Sequence, residues 1–130
     1  MIVIPGAESA ASERRGATFT GEVWAGPVLP GADGVTVPTI FFTPGARTFW
    51  HQHERGQLLQ VLAGTGFVCP YGENPHPLRV GDTVWVPPGE RHWHGAAPGS
   101  FLTHTAISLG TTTWLDEVTE ADYASSCTPN

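Results

Sequence analysis

Five of the six histidines fall into three groups that could carry out chemistry together. His51 and His53 are separated by one residue, as are His92 and His94, and His104 lies on a later apolar run. Side chains two positions apart on a strand point to the same face, so His51 and His53 can direct two imidazole nitrogens at one ion. By itself the pair is as compatible with a structural role as with metal binding, and its surroundings favour a metal site.

Two further residues complete a candidate ligand set. Gln57 follows His53 across an Arg55-Gly56 turn, and its amide oxygen could supply a third ligand. His92 follows the turn at residues 87–90, Pro-Pro-Gly-Glu, which would fix the approach of a later strand. Three imidazoles and one amide add no negative charge, so a divalent ion held by them would be a stronger Lewis acid than one bound by carboxylates.

His94 and His104 are the candidate catalytic residues. On a regular strand His94 shares the face of His92, and His104 can approach from a neighbouring strand. Two unligated imidazoles beside a Lewis acid are suited to proton transfer near neutral pH. The alternative is that both histidines only orient a metal ligand or close the interior of the fold.

The remaining histidine and three of the tryptophans are assigned no chemistry. His76 stands between Pro75 and Pro77 and is interpreted as an ordinary loop residue. Trp50, Trp85 and Trp93 are interpreted as core or rim packing.

The elements that must position these residues are short strands. Apolar runs at 19–24, 35–43, 48–53, 58–63, 66–69, 83–86 and 101–109 are bounded by Gly, Pro, Asp or Asn, the pattern of an all-β barrel or sandwich. The counts of 16 Gly and 12 Pro favour the same class. Residues 118–123 predict a short C-terminal helix, with Thr119 as its cap and Val118 and Tyr123 spaced as a hydrophobic staple.

The chain of 130 residues is long enough for one domain with its own core. We predict a flexible N-terminal arm or edge strand at 1–16, the domain at 17–123 and a flexible tail at 124–130. The arm could pair with a neighbouring subunit and cover a strand edge, so a homodimer or homotetramer is expected.

The formal net charge of −6, with only six Lys and Arg, provides no basic surface for nucleic acid or an anionic membrane. The N-terminus does not resemble a secretory signal, and no stretch is long and apolar enough to span a membrane. Cys69 and Cys127 are too few for a disulfide framework. These features predict a cytoplasmic protein that acts on a small molecule.

Two stretches resemble the motifs of the cupin family. The first is Gly45-(x)5-His51-x-His53-(x)3-Gln57-(x)6-Gly64, and the second, at residues 81–92, is Gly-(x)5-Pro-x-Gly-(x)2-His. The resemblance implies a single cupin domain, an antiparallel jelly-roll barrel. Gln57 stands where most metal-binding cupins have glutamate, which argues against the germin-like type of site.

Within this family the chain resembles the bacterial cupin hydroxynitrile lyases better than the germin-like type. The similarity lies in Gly-Ala-Arg-Thr-x-Trp-His-x-His from Gly45, in Gln57, in Pro-Gly-Glu-Arg-His-Trp-His-Gly-Ala-Ala-Pro at 88–98, and in Leu-Thr-His-x-Ala-Ile at 102–107. It implies a metal-dependent carbon–carbon lyase that cleaves or forms cyanohydrins. It also implies Mn²⁺ on His51, His53, Gln57 and His92, with His94 and His104 serving the chemistry.

Two other functions stay open at this point. A mononuclear site with free positions could bind dioxygen and cleave an alkene or an enol, which would make the protein an oxidoreductase. A non-catalytic cupin could use its metal only to hold a ligand. The metal is open as well, because His and Gln ligands also suit Fe²⁺, Ni²⁺, Zn²⁺ and Co²⁺.

Overall fold

The structure of the protein, a computed structural model, describes residues 1–6 and 11–126. Within these residues the chain forms short strands and one helix, α1 (Glu120–Ser126). The strands are β1 (Glu13–Arg15), β2 (Phe19–Thr20), β3 (Val23–Ala32), β4 (Val35–Phe42), β5 (Arg47–Thr48), β6 (His51–His53), β7 (Gln57–Gly64), β8 (Gly66–Pro70), β9 (His76–Leu78), β10 (Thr83–Val86), β11 (His92–Ala96), β12 (Leu102–Leu109) and β13 (Thr112–Trp114).

The strands make two antiparallel sheets around a common apolar core. One sheet has six strands in the order β1-β3-β4-β12-β7-β10. The other has the order β13-β6-β11-β5-β2, with β8 pairing both β11 and β9. The predicted all-β antiparallel barrel with a short C-terminal helix is confirmed. No helix in the described part of the chain is long and apolar enough to cross a membrane.

The interior changes from apolar to polar along the strands. On β12 burial alternates strictly, and the buried side chains are Leu102, His104, Ala106 and Ser108. Since side chains alternate across a strand, these four residues line the barrel interior. Their cross-strand partners on β7 follow the same gradient, because Leu59 pairs with Ala106 and Gln57 with Ser108.

Several predicted strands differ from the observed ones for local reasons. The run at 48–53 is two strands, since Phe49 and Trp50 donate their backbone amides to Thr18 and Asp116 outside the ladder. The run at 19–24 is also interrupted, at Gly21, which has φ +82°. His76 was expected in a loop; this expectation is wrong, because His76 begins β9 and pairs with β8.

The chain termini were predicted as an arm and a tail. Strand β1 pairs with residues 23–25 of its own chain and forms the edge of the six-stranded sheet. At the other end α1 continues to Ser126, past the predicted domain end at Tyr123. Residues 127–130, with Cys127, lie outside the described residues.

Helix α1 begins as the sequence predicts. The Asp122 amide donates to the Thr119 hydroxyl at 3.1 Å, which is the expected cap. Val118 and Tyr123 are both buried in one apolar cluster with Trp93 of the barrel wall. The Tyr123 hydroxyl donates to the Ala96 carbonyl at 2.6 Å and ties the helix to β11.

Candidate metal centre and its neighbouring histidine pair

Three histidines on two adjacent strands converge at the polar end of the interior. His51 and His53 lie on β6, and His92 lies opposite His51 on β11. All three side chains are buried, and one ring nitrogen of each lies within 4.8 Å of the others. A single ion with nitrogen ligands at about 2.1 Å can span this separation after small side-chain adjustments.

The other ring nitrogen of each histidine, Nδ1, is hydrogen-bonded on the side facing away from the cluster. His51 Nδ1 donates to the Phe49 carbonyl and His92 Nδ1 donates to the Glu90 carbonyl, both at 2.9 Å. His53 Nδ1 is hydrogen-bonded to the hydroxyl of Thr112 at 3.0 Å. A backbone carbonyl only accepts, so Nδ1 of His51 and His92 must carry the proton and Nε2 keeps its lone pair.

Gln57 lies beside these histidines at the start of β7. Its amide nitrogen donates to the Ser108 hydroxyl at 3.0 Å, so its oxygen Oε1 faces the cluster, 3.1 Å from His92 Nε2. Both of these facing atoms carry lone pairs, since the proton of His92 is on Nδ1. Among the described residues, His53 Nε2 is also buried without a hydrogen-bond partner. A cation would satisfy all three atoms, and the residues present therefore fit a divalent metal ion.

Burial keeps these imidazoles neutral. Desolvation lowers the pKa of both His53 and His92 to about 4, with His92 adding to the effect at His53. Desolvation, followed by the neighbouring His92, places the pKa of His51 well below its ordinary value. Neutral imidazole is the form that binds a metal ion.

His94 and His104 form a second, fully buried pair. His94 Nδ1 and His104 Nε2 are hydrogen-bonded to each other at 2.9 Å, while the outer nitrogens, His94 Nε2 and His104 Nδ1, have no partner among the described residues. The His94 ring centroid lies 5.2 Å from that of His51 and 5.7 Å from that of His92. Desolvation lowers the pKa of His104 to about 4, and desolvation followed by the neighbouring His104 holds the pKa of His94 well below its ordinary value.

A cavity of about 440 Å³ opens onto this region. His51, His53, Gln57 and His94 contribute to its wall, whereas His104 lies behind His94. Apolar and aromatic side chains complete the lining, among them Phe19, Pro38, Ile40, Ala106 and Trp114. The cavity therefore joins a polar end with candidate ligands to an apolar body that suits an organic ligand.

The structure brings all six predicted site residues together, but their supporting partners were not predicted from the sequence. Ser108 and Thr112 hold Gln57 and His53 from strands far away in the chain. The Trp114 ring packs on the His51 ring with centroids 4.6 Å apart. Side chains alternate along β12, so Ser108 lies on the same face as His104. This alternation is the one local pattern that could have indicated the role of Ser108.

The three tryptophans singled out in the sequence do not line this cavity. Trp50 and Trp93 are buried in the apolar cluster under α1. Trp85 is 53% exposed, and its ring packs against Gly56. The aromatic side chains of the cavity are Phe19 and Trp114 instead.

Sequence comparison agrees with this architecture. Residues 39–104 match the family model described as Cupin domain (Cupin_2). The chain is 41% identical over 111 residues to an (R)-mandelonitrile lyase from Granulicella tundricola, a match that covers 81% of this chain and 85% of the relative. The protein belongs to the cupin family and is a small monocupin.

Solved structures give the same fold. A cupin-like protein from Thermotoga maritima is 41% identical and has a TM-score of 0.82, covering 88% of this chain and 94% of its own. A polyketide cyclase from Streptomyces resistomycificus has a TM-score of 0.71 at 18% identity, covering 95% of this chain and 90% of its own. The second likeness concerns the fold alone.

Proposed function

We propose that the protein is a metal-dependent hydroxynitrile lyase, which cleaves cyanohydrins to a carbonyl compound and hydrogen cyanide and catalyses the reverse addition. The observation that carries the proposal is the hydrogen-bonded pair of His94 and His104 beside the three-histidine cluster. Identity of 41% to a mandelonitrile lyase supports the same substrate class.

The proposed metal ligands are His51, His53, Gln57 and His92, with manganese as the proposed ion and iron, nickel, zinc or cobalt as alternatives. A divalent ion there would act as a Lewis acid toward the hydroxyl or carbonyl oxygen of the substrate. Two backbone carbonyls and the Thr112 hydroxyl, hydrogen-bonded to the far nitrogens of the three histidines, keep the ligand nitrogens pointed into the site.

His94 is the residue of the pair that can touch the substrate, since it lines the cavity and His104 does not. In the cleavage direction, His94 Nε2 accepts the hydroxyl proton of the cyanohydrin. The carbon–carbon bond then breaks as the carbonyl forms, and its electron pair leaves with cyanide. The His94 imidazolium returns the proton to cyanide, which gives hydrogen cyanide and restores the neutral ring.

His104 is assigned a positioning role behind His94. Through the 2.9 Å contact between His104 Nε2 and His94 Nδ1 it fixes the plane of the His94 ring and shares the positive charge that forms there. The Phe42 ring packs against both imidazoles, with centroids 5.9 Å from His94 and 5.3 Å from His104, and keeps water from this side.

Substitution of each histidine tests these roles. His94→Ala should lower kcat for mandelonitrile cleavage about 10²- to 10⁴-fold, the usual contribution of general acid–base catalysis. His104→Ala should lower kcat at least tenfold, with a smaller change in KM, because it acts through His94. His76→Ala, an exposed histidine outside the site, should have no effect.

Metal content and the urea midpoint of each variant show whether the site and the fold are intact. If the metal-loaded His94 and His104 variants both keep more than a tenth of the activity, the acid–base assignment is wrong. A ligand-binding or dioxygen-dependent cupin would then be the better description of the site.

A further inference from the structure

The charged side chains around the cavity are all of one sign. Arg14 and Arg15, two of only six Lys and Arg in a chain of net charge −6, belong to its wall. Among the described residues no aspartate or glutamate lines it. The proposed metal ligands are neutral as well, so the described wall offers no negative charge to compensate the two guanidinium groups.

Strand pairing sets the direction of Arg15. Arg15 lies opposite Val23 of β3 in an antiparallel ladder, and directly paired residues share a face of the sheet. Val23 is fully buried in the core, so Arg15 lies on the interior side of the sheet at its exposed edge. The backbones of Arg14 and Arg15 pair with β3, but within the described parts of the chain neither guanidinium group has a hydrogen bond or ion pair.

We propose that this cavity binds organic ligands that carry a carboxylate, with the carboxylate held by Arg15 at the exposed end. Guanidinium and carboxylate match in geometry and charge. Side chains alternate along β1, so Arg14 points to the opposite face and Glu13 shares the face of Arg15. Arg15 is therefore the residue that would contact the carboxylate. The carboxylate site is argued independently of the proposed function. Only the substrate class rests on that function: it would be a cyanohydrin or aldehyde with a second, acidic group.

The cavity places the two ends of such a ligand in different environments. The reacting carbon would lie against the buried His94 at the inner end of the cavity, and the apolar body would pack on Phe19, Ile40 and Ala106. The carboxylate would stay near solvent at Arg15. A neutral ligand of the same shape would leave the guanidinium groups without a counter-charge and would bind more weakly.

Binding of acid and amide pairs tests the proposal without any turnover. Benzoate, phenylacetate and 3-phenylpropionate would each be compared with the matching primary amide by isothermal titration calorimetry on the metal-loaded protein. Because Arg15 is exposed and solvent screens its charge, at least one acid should bind about two- to fivefold more tightly than its amide.

Arg15→Gln should remove most of this preference and leave the affinity for the amide unchanged. Arg79→Gln, which changes an exposed arginine outside the cavity, is the matched control and should behave as wild type. Equal binding of every acid and amide, or a preference for acids that survives in Arg15→Gln because the carboxylate binds at the histidine cluster, would overturn the proposal.

The test separates this inference from the lyase proposal. A preference for acids that depends on Arg15, in a protein that does not cleave mandelonitrile, would support the carboxylate site and contradict the lyase. Cleavage of mandelonitrile without any preference for acids would support the lyase and contradict the carboxylate site.

Discussion

At the scale of single residues, the orientation of the Gln57 amide decides what it can offer a metal ion. The Ser108 hydroxyl accepts the amide N–H at 3.0 Å, which turns Oε1 toward the histidines. Without that acceptor the amide could rotate and present NH₂, which cannot bind a cation.

Ser108→Ala should therefore weaken metal binding about tenfold, within the range usual for residues that support a ligand. Ser108→Thr keeps the hydroxyl and should stay close to wild type. The dissociation constant is measured by competition with a chromogenic chelator, without reference to activity. An unchanged affinity in Ser108→Ala would show that Gln57 is not a ligand or does not need this partner.

At the scale of elements, the turn between β6 and β7 links His53 to Gln57. Gly56 has φ +98° and donates its amide to the His53 carbonyl at 3.3 Å. A Cβ atom there would lie 2.8 Å from the Val86 carbonyl oxygen and would collide with the Trp85 ring. Both the backbone conformation and the space at this turn require glycine.

Gly56→Ala should cost roughly 2 to 3 kcal/mol of unfolding free energy, from the positive φ together with the collision. Gly72→Ala is a matched control, because Gly72 has φ +76° but nothing within 4 Å of the added Cβ, and it should cost only about 1 kcal/mol. Urea unfolding measures both. Equal losses of unfolding free energy in the two variants would mean that the Trp85 ring moves aside at little cost and that its close packing does not restrict residue 56.

Element by element, the sequence predicted the parts whose signal is local. The strand at 101–109 and the cap at Thr119 are readable in short windows and were confirmed. Strand β11, which carries His92 and His94, was expected after the turn at 87–90 but without bounds, because two histidines and a glycine leave no apolar run in its five residues. The pairing of His53 with Thr112 depends on the register of β6 with β13, which no local pattern encodes.

At the scale of the whole molecule, buried neutral histidines make the fold sensitive to acid. His104 is fully buried, and desolvation lowers its pKa to about 4, below the value of about 6.5 in the unfolded chain. The unfolded state therefore binds the proton more readily between these two values. The stability that His104 contributes is complete above pH 6.5 and is lost as the pH falls toward 4.

From pH 7.5 to pH 5 the metal-free protein should lose about 2 kcal/mol of unfolding free energy through His104 alone. Over the same pH range, the loss of unfolding free energy should be about 2 kcal/mol smaller in His104→Gln than in the wild type, whatever the stability of the variant at pH 7.5. Urea titrations at the two pH values give the comparison. The same pH dependence in both proteins would show that His104 is not the neutral, desolvated group described here.

The outer face of the six-stranded sheet is the surface that best suits the expected homodimer. Trp85, Leu62, Phe101 and Phe41 are 53%, 52%, 42% and 38% exposed, and together leave roughly 300 to 450 Å² of apolar surface in water. That is about half of what one partner buries in a standard interface. The neighbouring outward residues of β12, Thr103, Thr105 and Ile107, are uncharged.

Light scattering coupled to gel filtration should give the mass of a dimer or tetramer for the wild type. Leu62→Glu should shift the protein toward the monomer, because a buried carboxylate without a partner is costly. The control Val80→Glu changes another exposed apolar residue, which lies outside the strands of this sheet. A monomeric wild type would contradict the expectation.

The most direct measurement of the proposed activity is the release of benzaldehyde and cyanide from mandelonitrile under anaerobic conditions. Manganese-loaded protein would be compared with chelator-treated protein and with the same protein in air. We predict release that requires the metal and proceeds at the same rate with and without oxygen. Release no faster than in buffer, or a reaction that stops when oxygen is removed, would contradict the lyase and favour an oxidative cupin.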